Sequence, residues 1–132
     1  MSPEYKTAWK GRTSTTTKAW GEEICIGSLH QIQAKVLLLN AGFSTTLKYY
    51  SNKNEVLFVR RGSALVEFAS EEYLRYPEGA VLQSVVLECG DVFLVQSMCP
   101  YKILAQTDCE IFEIGDNSMA LPTRLEAPEA EQ

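Results

Sequence analysis

Histidine is almost absent from this sequence, and its cysteines form no metal-binding pattern. The 132 residues contain one histidine, His30, and four cysteines without a CxxC pair. A structural zinc site needs several closely spaced Cys or His ligands, so this composition excludes the common zinc motifs. Because a free cysteine behaves as a small hydrophobic residue, we expect buried free thiols in a reducing compartment. The four positions are Cys25, Cys89, Cys99 and Cys109.

Long apolar runs and an excess of positive charge are also lacking. No stretch approaches the ~18 consecutive apolar residues of a membrane span, and the N-terminal segment has no apolar core of the kind found in signal peptides. The chain carries 12 Lys and Arg against 17 Asp and Glu, which gives a net charge of −5. Such a balance argues against binding to nucleic acid or to an anionic membrane surface. We therefore expect a cytoplasmic protein with neither kind of partner.

What the sequence does contain is a series of short β-type segments. Stretches such as SALVEFAS and CEIFEIGDN are about five to eight residues long, and most are closed by Gly, Asn, Asp, Ser or Pro. Polar and apolar residues alternate with period two in ALVEFA and CEIFEI, which is typical of strands with one buried face. Only SEEYLRYPEG could form a helix, and Pro77 with Gly79 limits it to a single turn. The pattern predicts one all-β domain, a sandwich or a barrel.

Composition divides the chain into three regions. Residues 1–18 are polar and threonine-rich, which favours an extended arm or edge strand over a helix. Residues 19–116 carry the β-type segments and are predicted to form the domain. Residues 117–132 are rich in Pro, Glu and Ala without an apolar period, so we expect a flexible tail. His30 lies among apolar neighbours in a strand-like segment and is interpreted as a structural residue.

Two spacings carry a resemblance to a known family. The first spacing runs from Gly42 over five residues to Lys48-x-Tyr50, over four more to Glu55, and over six more to Gly62. It reproduces the first cupin motif, with lysine and tyrosine in place of the two histidines of the motif.

The second cupin motif is kept less completely. Gly90 is in place, but Gln96 and Met98 replace a proline and a glycine, and Tyr101 stands where a histidine is expected. The chain resembles the cupin superfamily, and within it the cupin domain of the mannose-6-phosphate isomerase type. This resemblance implies a double-stranded β-helix, the cupin jelly-roll barrel.

The same resemblance implies that a cupin metal site would lie at these four positions. Cupins hold a divalent ion with imidazoles and one carboxylate, and only Glu55 keeps such a donor. Lys48 would repel the ion. Tyr50 and Tyr101 would ligate only as phenolates, and the ordinary pKa of a tyrosine, ~10, keeps the phenol protonated at neutral pH. We therefore expect no metal ligands and no cofactor.

Residues alternate between the two faces of a strand, so Lys48 and Tyr50 share a face, and the resemblance brings them together with Glu55 and Tyr101 inside the barrel. Four interpretations of this set remain open. It could be a polar plug that fills a lost site, or a pocket for a sugar or sugar phosphate. It could also serve a metal-independent isomerase or epimerase, with tyrosine as the acid and Glu55 as the base, although catalysis is the weaker expectation. Finally, the fold could be a dimerisation or partner-binding module, and by family analogy we expect a homodimer.

Overall fold

The computed structural model describes residues 5–126, which form eleven strands and one short helix. The helix, α1 (Glu72–Arg75), has a single turn, as predicted. The strands in chain order are β1 (Ser14–Lys18), β2 (Gly21–Leu29), β3 (Ile32–Leu39), β4 (Lys48–Tyr49), β5 (Glu55–Arg61), β6 (Ser63–Phe68), β7 (Gln83–Glu88), β8 (Val92–Val95), β9 (Tyr101–Ala105), β10 (Cys109–Gly115) and β11 (Thr123–Arg124).

Two antiparallel sheets enclose the hydrophobic core. The first has six strands in the order β1-β2-β3-β10-β5-β8, and the second has five in the order β11-β4-β9-β6-β7. Strands that are distant in the chain, such as β3 and β10, are neighbours, as expected in a jelly roll. Aliphatic side chains from both sheets fill the space between them, including Leu37, Leu57, Val66 and Ile103. The predicted all-β, single-domain jelly-roll fold is confirmed.

Alternation along the central strands decides which side chains reach the interior. In β5, Glu55, Leu57 and Val59 are buried, whereas Val56 is exposed. Burial alternates in the same way along the paired strand β10, although the residue types do not follow it throughout, since Glu113 is buried and Ile114 is exposed. A polar residue at an inner position of these strands is therefore held inside the protein.

The glycines of the cupin spacing serve the backbone. Gly42, Gly62 and Gly90 have φ angles of 86°, 90° and 97°, in the region that other residues rarely adopt. At Gly62 a Cβ atom would also collide with the carbonyl oxygen of Asp108. The turns between strands thus require these glycines whatever chemistry the interior carries.

The structure corrects the interpretation of His30. The residue is not within a strand: it begins the two-residue turn between β2 and β3, with φ of 56°, and its side chain is exposed. Apolar neighbours on both sides concealed the turn, because the sequence there has no glycine or proline. His30 is therefore neither a core residue nor part of the interior.

The terminal regions contribute edge strands. Residues 14–18 of the predicted arm form β1, which pairs with β2. In the predicted tail, β11 pairs with β4, and the Leu125 amide donates a hydrogen bond to the Leu47 carbonyl, so residues 117–126 differ from the flexible tail that we expected. Two-residue strands carry no readable period, which is why β11 was missed. Residues 127–132 lie outside the described range, and the domain boundaries stay predictions.

All four cysteines are free, as predicted, but they are not all buried. Cys89 is exposed in the turn that follows β7, whereas burial raises the pKa of the Cys99 and Cys109 thiols, which keeps them protonated. Within residues 5–126, no helix has the length and apolar character needed to cross a membrane. A cytoplasmic location stays a prediction.

Candidate functional site

A cavity of about 390 Å³ lies inside the domain. Its wall is built by β2, β3 and β10 of the first sheet and by β4 and β9 of the second, and residues 118–124 contribute the rim. Lys48 and Tyr50 both line it, so the shared face predicted for these two residues is present, and Thr46 lines it as well. Tyr101 lines it from β9, where it pairs with Lys48 across the two strands.

Glu55 and Tyr101 form the buried base of this site. The Tyr101 hydroxyl donates a hydrogen bond of 2.6 Å to Oε1 of Glu55, and both side chains are almost completely buried. The second oxygen, Oε2 of Glu55, is buried without a hydrogen-bond partner among the described residues. A buried carboxylate that lacks donors is costly, so its nearest cation becomes important for stability.

That cation is Lys53, which the sequence analysis did not assign to the site. Its ammonium lies 4.0 Å from Oε2 of Glu55, donates a 3.3 Å hydrogen bond to Gln33 and sits 4.9 Å from the centre of the Tyr50 ring. Only 4% of Lys53 is exposed. The absence of a side chain at Gly115 makes room for it, since a Cβ there would lie 2.6 Å from Cε of Lys53.

Glu113 is the second buried carboxylate of the cavity, and it too was missed. It extends from β10 beside Glu55, and burial together with the Glu55 charge raises the pKa of Glu113 to about 7. On the neighbouring strand Lys35 forms a 3.1 Å ion pair with Glu23. Burial lowers the pKa of Lys35, but the charges of Glu113 and Glu23 outweigh this effect and raise it above its usual value.

Lys48 and the two tyrosines present polar groups to the cavity, and their surroundings shift the pKa of all three. The Lys48 ammonium lies 4.7 Å from the centre of the Tyr101 ring. Burial lowers the pKa of Lys48, partly offset by the charges of Glu113 and Glu55. Burial and the same carboxylates raise the pKa of Tyr50 and of Tyr101, so both phenols remain protonated at neutral pH.

The two residues that the sequence analysis missed, Glu113 and Lys53, lie in different kinds of segment. Glu113 lies in CEIFEI, where the residue types leave the inner face open: Cys109 and Ile111 are on its side of the strand, but Phe112 and Ile114 are on the other. Lys53 lies in the loop between β4 and β5, where alternation gives no direction. Only the three-dimensional path of the loop brings its ammonium to Glu55.

The donor set at the four cupin ligand positions consists of an amine, two protonated phenols and one carboxylate. In residues 5–126 no group of three or more His, Cys, Asp and Glu side chains is arranged to hold a metal ion. One oxygen of Glu55 accepts the Tyr101 hydrogen bond and the other faces Lys53. These residues do not fit a divalent cation, which prefers neutral imidazoles or several carboxylates.

The jelly roll, its glycine spacing and its interior site define a cupin. The cupin family profile matches residues 10–122, and the chain belongs to this family. No curated protein matches the sequence.

Three solved structures with similar folds have low sequence identity. KdgF from Halomonas sp. is 15% identical over 73% of this chain and 77% of its own, with a TM-score of 0.60. A variant of Bacillus subtilis oxalate decarboxylase is 16% identical over 93% of this chain, with a TM-score of 0.71. CapF of Staphylococcus aureus, a capsular polysaccharide assembling protein, is 15% identical over 83%, with a TM-score of 0.65. This chain spans 35% of the oxalate decarboxylase chain and 30% of CapF, so the likeness concerns the fold alone.

Proposed function

We propose that this cupin binds a carbohydrate or sugar-phosphate ligand in its cavity without a resident metal ion. The observation that carries the proposal is the half-buried Lys48 ammonium on the cavity wall. Among residues 5–126, no carboxylate lies within 4.0 Å of it, although Lys35 and Lys53 each have one. An unpaired cation in a partly enclosed cavity is suited to an anionic group of a ligand.

The other side chains of the wall support a sugar-like ligand. Tyr50 and Trp20 line the cavity with aromatic rings, and such rings pack against the apolar face of a pyranose. Gln33 and Glu113 supply amide and carboxyl groups for sugar hydroxyls. The resemblance to the mannose-6-phosphate isomerase type and the fold similarity to CapF point in the same direction.

Metal independence follows from the donor chemistry of the site. Lys48 is a cation, the raised pKa values of Tyr50 and Tyr101 disfavour phenolate ligands, and Glu55 already accepts a hydrogen bond from Tyr101. Glu55 and Glu113 are two carboxylates in a cavity that also holds the ammonium groups of Lys48 and Lys53, and such a set binds a divalent ion weakly. We therefore expect ligand affinity to be unchanged by a metal chelator.

Replacing Lys48 with alanine is expected to weaken binding of mannose 6-phosphate, the probe, by at least about 10-fold, because a charge-assisted contact is lost. Titration calorimetry gives the affinity. For the wild type, a concentration of ~100 times the Kd should stabilise the protein by about 2.7 kcal/mol in thermal unfolding. Lys102→Ala is the matched control: Lys102 follows Tyr101 on β9 but is outside the cavity wall. Equal affinities of the Lys48→Ala variant and the wild type would contradict the proposal.

A metal-independent isomerase or epimerase is the second candidate, because one group has the right acidity. Glu113 lines the cavity and has a pKa of about 7, near the optimum for a general base at neutral pH. Incubation with mannose 6-phosphate in deuterium oxide, followed by NMR, separates the two candidates. A binding protein leaves the carbon-bound hydrogens unexchanged. Exchange that is lost in a Glu113→Gln variant would establish catalysis instead.

A further inference from the structure

Cations outnumber carboxylates around the cavity, although the protein is acidic as a whole. Among residues 5–126, five lysine and arginine side chains line it, against three carboxylates on its wall and at its base. The whole chain has the opposite balance, with 17 Asp and Glu against 12 Lys and Arg. Such a local reversal of charge in a partly enclosed space attracts anions. The cations are Lys18, Lys35, Lys48, Lys53 and Arg124, and the carboxylates are Glu23, Glu55 and Glu113.

Only two of the five cations face a carboxylate of the cavity at close range. Lys35 and Lys53 each have one within 4.0 Å, as described above. Within residues 5–126, the other three, Lys18, Lys48 and Arg124, have no carboxylate at that distance. The positive charge that is left without a partner therefore comes from β1, β4 and β11, which are edge or short strands near the mouth of the cavity.

Two of these three cations are directly opposite each other in the sheet. β11 pairs with β4 so that Arg124 is the partner of Lys48, and both side chains line the cavity. Paired residues of antiparallel strands project from the same face, with Cβ atoms ~5 Å apart. Like charges in this arrangement repel each other and weaken the pairing of the strands. An anion that lies between the two side chains would turn this repulsion into attraction.

Other contacts hold β11 in this register despite the repulsion. The Leu125 amide donates a hydrogen bond to the Leu47 carbonyl, and the Leu47 amide donates one of 3.0 Å to Oε1 of Glu126. Glu126 is the acidic residue nearest to Arg124 in the described sequence, yet its carboxylate lies 3.5 Å from Lys102 instead. The segment thus fixes the backbone of Arg124 beside β4, while the neighbour that could neutralise its charge is engaged elsewhere.

We propose that Lys48 and Arg124 bind the phosphate group of a small sugar phosphate between them, an inference that rests on the proposed function and names its anion site. The guanidinium of Arg124 has two parallel N–H donors for two phosphate oxygens, and the Lys48 ammonium is a point charge for a third. A phosphate monoester carries nearly two negative charges at neutral pH, which matches two cations. A carboxylate, with one charge and two oxygens, would leave one cation uncompensated.

The position of this pair also sets the orientation and the size of the ligand. Arg124 is exposed at the rim, whereas Lys48 is half-buried on the wall, so the phosphate lies at the mouth of the cavity. The sugar then extends inward to the aromatic rings of Trp20 and Tyr50 and to Glu113. A volume of about 390 Å³ is near the lower end for ligand pockets, which suits a monosaccharide phosphate rather than a larger nucleotide-linked sugar.

Titration calorimetry of the full chain with mannose 6-phosphate and with mannose tests the assignment. Arg124→Ala should weaken binding of mannose 6-phosphate at least about 10-fold and leave the affinity for mannose, which has no phosphate, unchanged. Arg124→Lys should lose less, because it keeps the charge but not the two parallel donors. Arg61→Ala is the control: it removes an exposed arginine outside the cavity wall and should bind like the wild type.

The unliganded protein provides a second readout, which also shows that the variant folds. In phosphate-free buffer, Arg124→Ala should unfold at the same temperature as the wild type or at a higher one, because the repulsion from Lys48 is removed. Adding inorganic phosphate should raise the unfolding temperature of the wild type more than that of the variant. A variant that is less stable than the wild type in phosphate-free buffer would contradict the like-charge argument.

The outcomes separate this inference from the proposed function. If Lys48→Ala weakens binding of mannose 6-phosphate and Arg124→Ala does not, the anion site is wrong but the proposed function stands. A larger loss in Lys18→Ala than in Arg124→Ala would place the phosphate on the opposite side of the mouth and overturn the inference. Equal losses of mannose and mannose 6-phosphate affinity in Arg124→Ala would do the same. A wild type that binds neither mannose 6-phosphate nor inorganic phosphate would overturn both proposals.

Discussion

Replacing Lys53 with methionine lowers the free energy of unfolding at pH 7 by about 3–5 kcal/mol, the range expected when one member of a buried ion pair is removed. The ammonium of Lys53 is the nearest cation to Oε2 of Glu55, an oxygen without a hydrogen-bond partner in residues 5–126. Methionine keeps the volume of the side chain but leaves this carboxylate uncompensated in a desolvated place. Urea unfolding, followed by circular dichroism, measures the loss.

Two further variants show whether the lost stability arises from the Glu55 carboxylate, which Lys53→Met leaves without its cation. Adding Glu55→Gln to Lys53→Met removes the charge while the Tyr101 hydroxyl still has an oxygen to which it can donate, so the double variant should recover most of the lost stability. Lys102→Met removes a cation from a partly exposed network and should cost less than about 1 kcal/mol. A Lys53→Met effect no larger than that of Lys102→Met would mean that the buried pair is unimportant.

The fold was predictable because its determinants are local and repetitive. Short segments closed by turn-forming residues specify antiparallel strands, and burial alternates along β10 and along β5 as far as Val59. Gly42, Gly62 and Gly90 stand at turns with positive φ angles, so these glycines in the sequence indicate the turns. What failed were features without a local signal: the turn at His30 and the two-residue strand β11.

The candidate site was predictable only in part, because its charges come from elements that are distant in the chain. Lys48, Tyr50, Glu55 and Tyr101 were found since the cupin spacing marks them, and the structure brings them to one cavity or its base. Their role in ligand binding stays a proposal. Lys53 was not found, because the direction of a loop side chain depends on tertiary packing that no spacing encodes.

The two central strands β5 and β10 break the usual correspondence in which inner strand positions are apolar and outer ones polar. Glu55 and Glu113 occupy inner positions, and Val56 and Ile114 occupy outer positions of these strands. The period of two therefore predicts that burial alternates along them, but at these positions the residue type does not show which face is the inner one.

The wild type is expected to lose about 3 kcal/mol of stability between pH 4.5 and pH 7 through Glu113 alone. The pKa of this carboxyl is about 7 in the folded protein, against the ordinary value of 4.5 that we assign to the unfolded chain. Below pH 4.5 both states are protonated and no penalty exists. Between the two values the folded state holds a proton that the unfolded state has released, so stability falls by ~1.4 kcal/mol per pH unit. Above pH 7 both states are ionised, and the penalty is complete.

A Glu113→Gln variant isolates this contribution from the other titrating groups. Glutamine is uncharged at every pH, so the variant should be about 3 kcal/mol more stable than the wild type at pH 8 and similar to it at pH 4. Asp116, whose pKa is lowered by hydrogen bonds from Asn54, titrates alike in both proteins and cancels in the difference. Glu110→Gln on the outer face of β10 is the control for a glutamate on the same strand and should bring no gain in stability at pH 8, because this carboxylate faces Arg60 and Arg61 and no second carboxylate. Urea unfolding across this pH range gives the two curves. If they run parallel, Glu113 is ionised in the folded protein as readily as in the unfolded chain, and a general base poised near neutral pH is excluded with it.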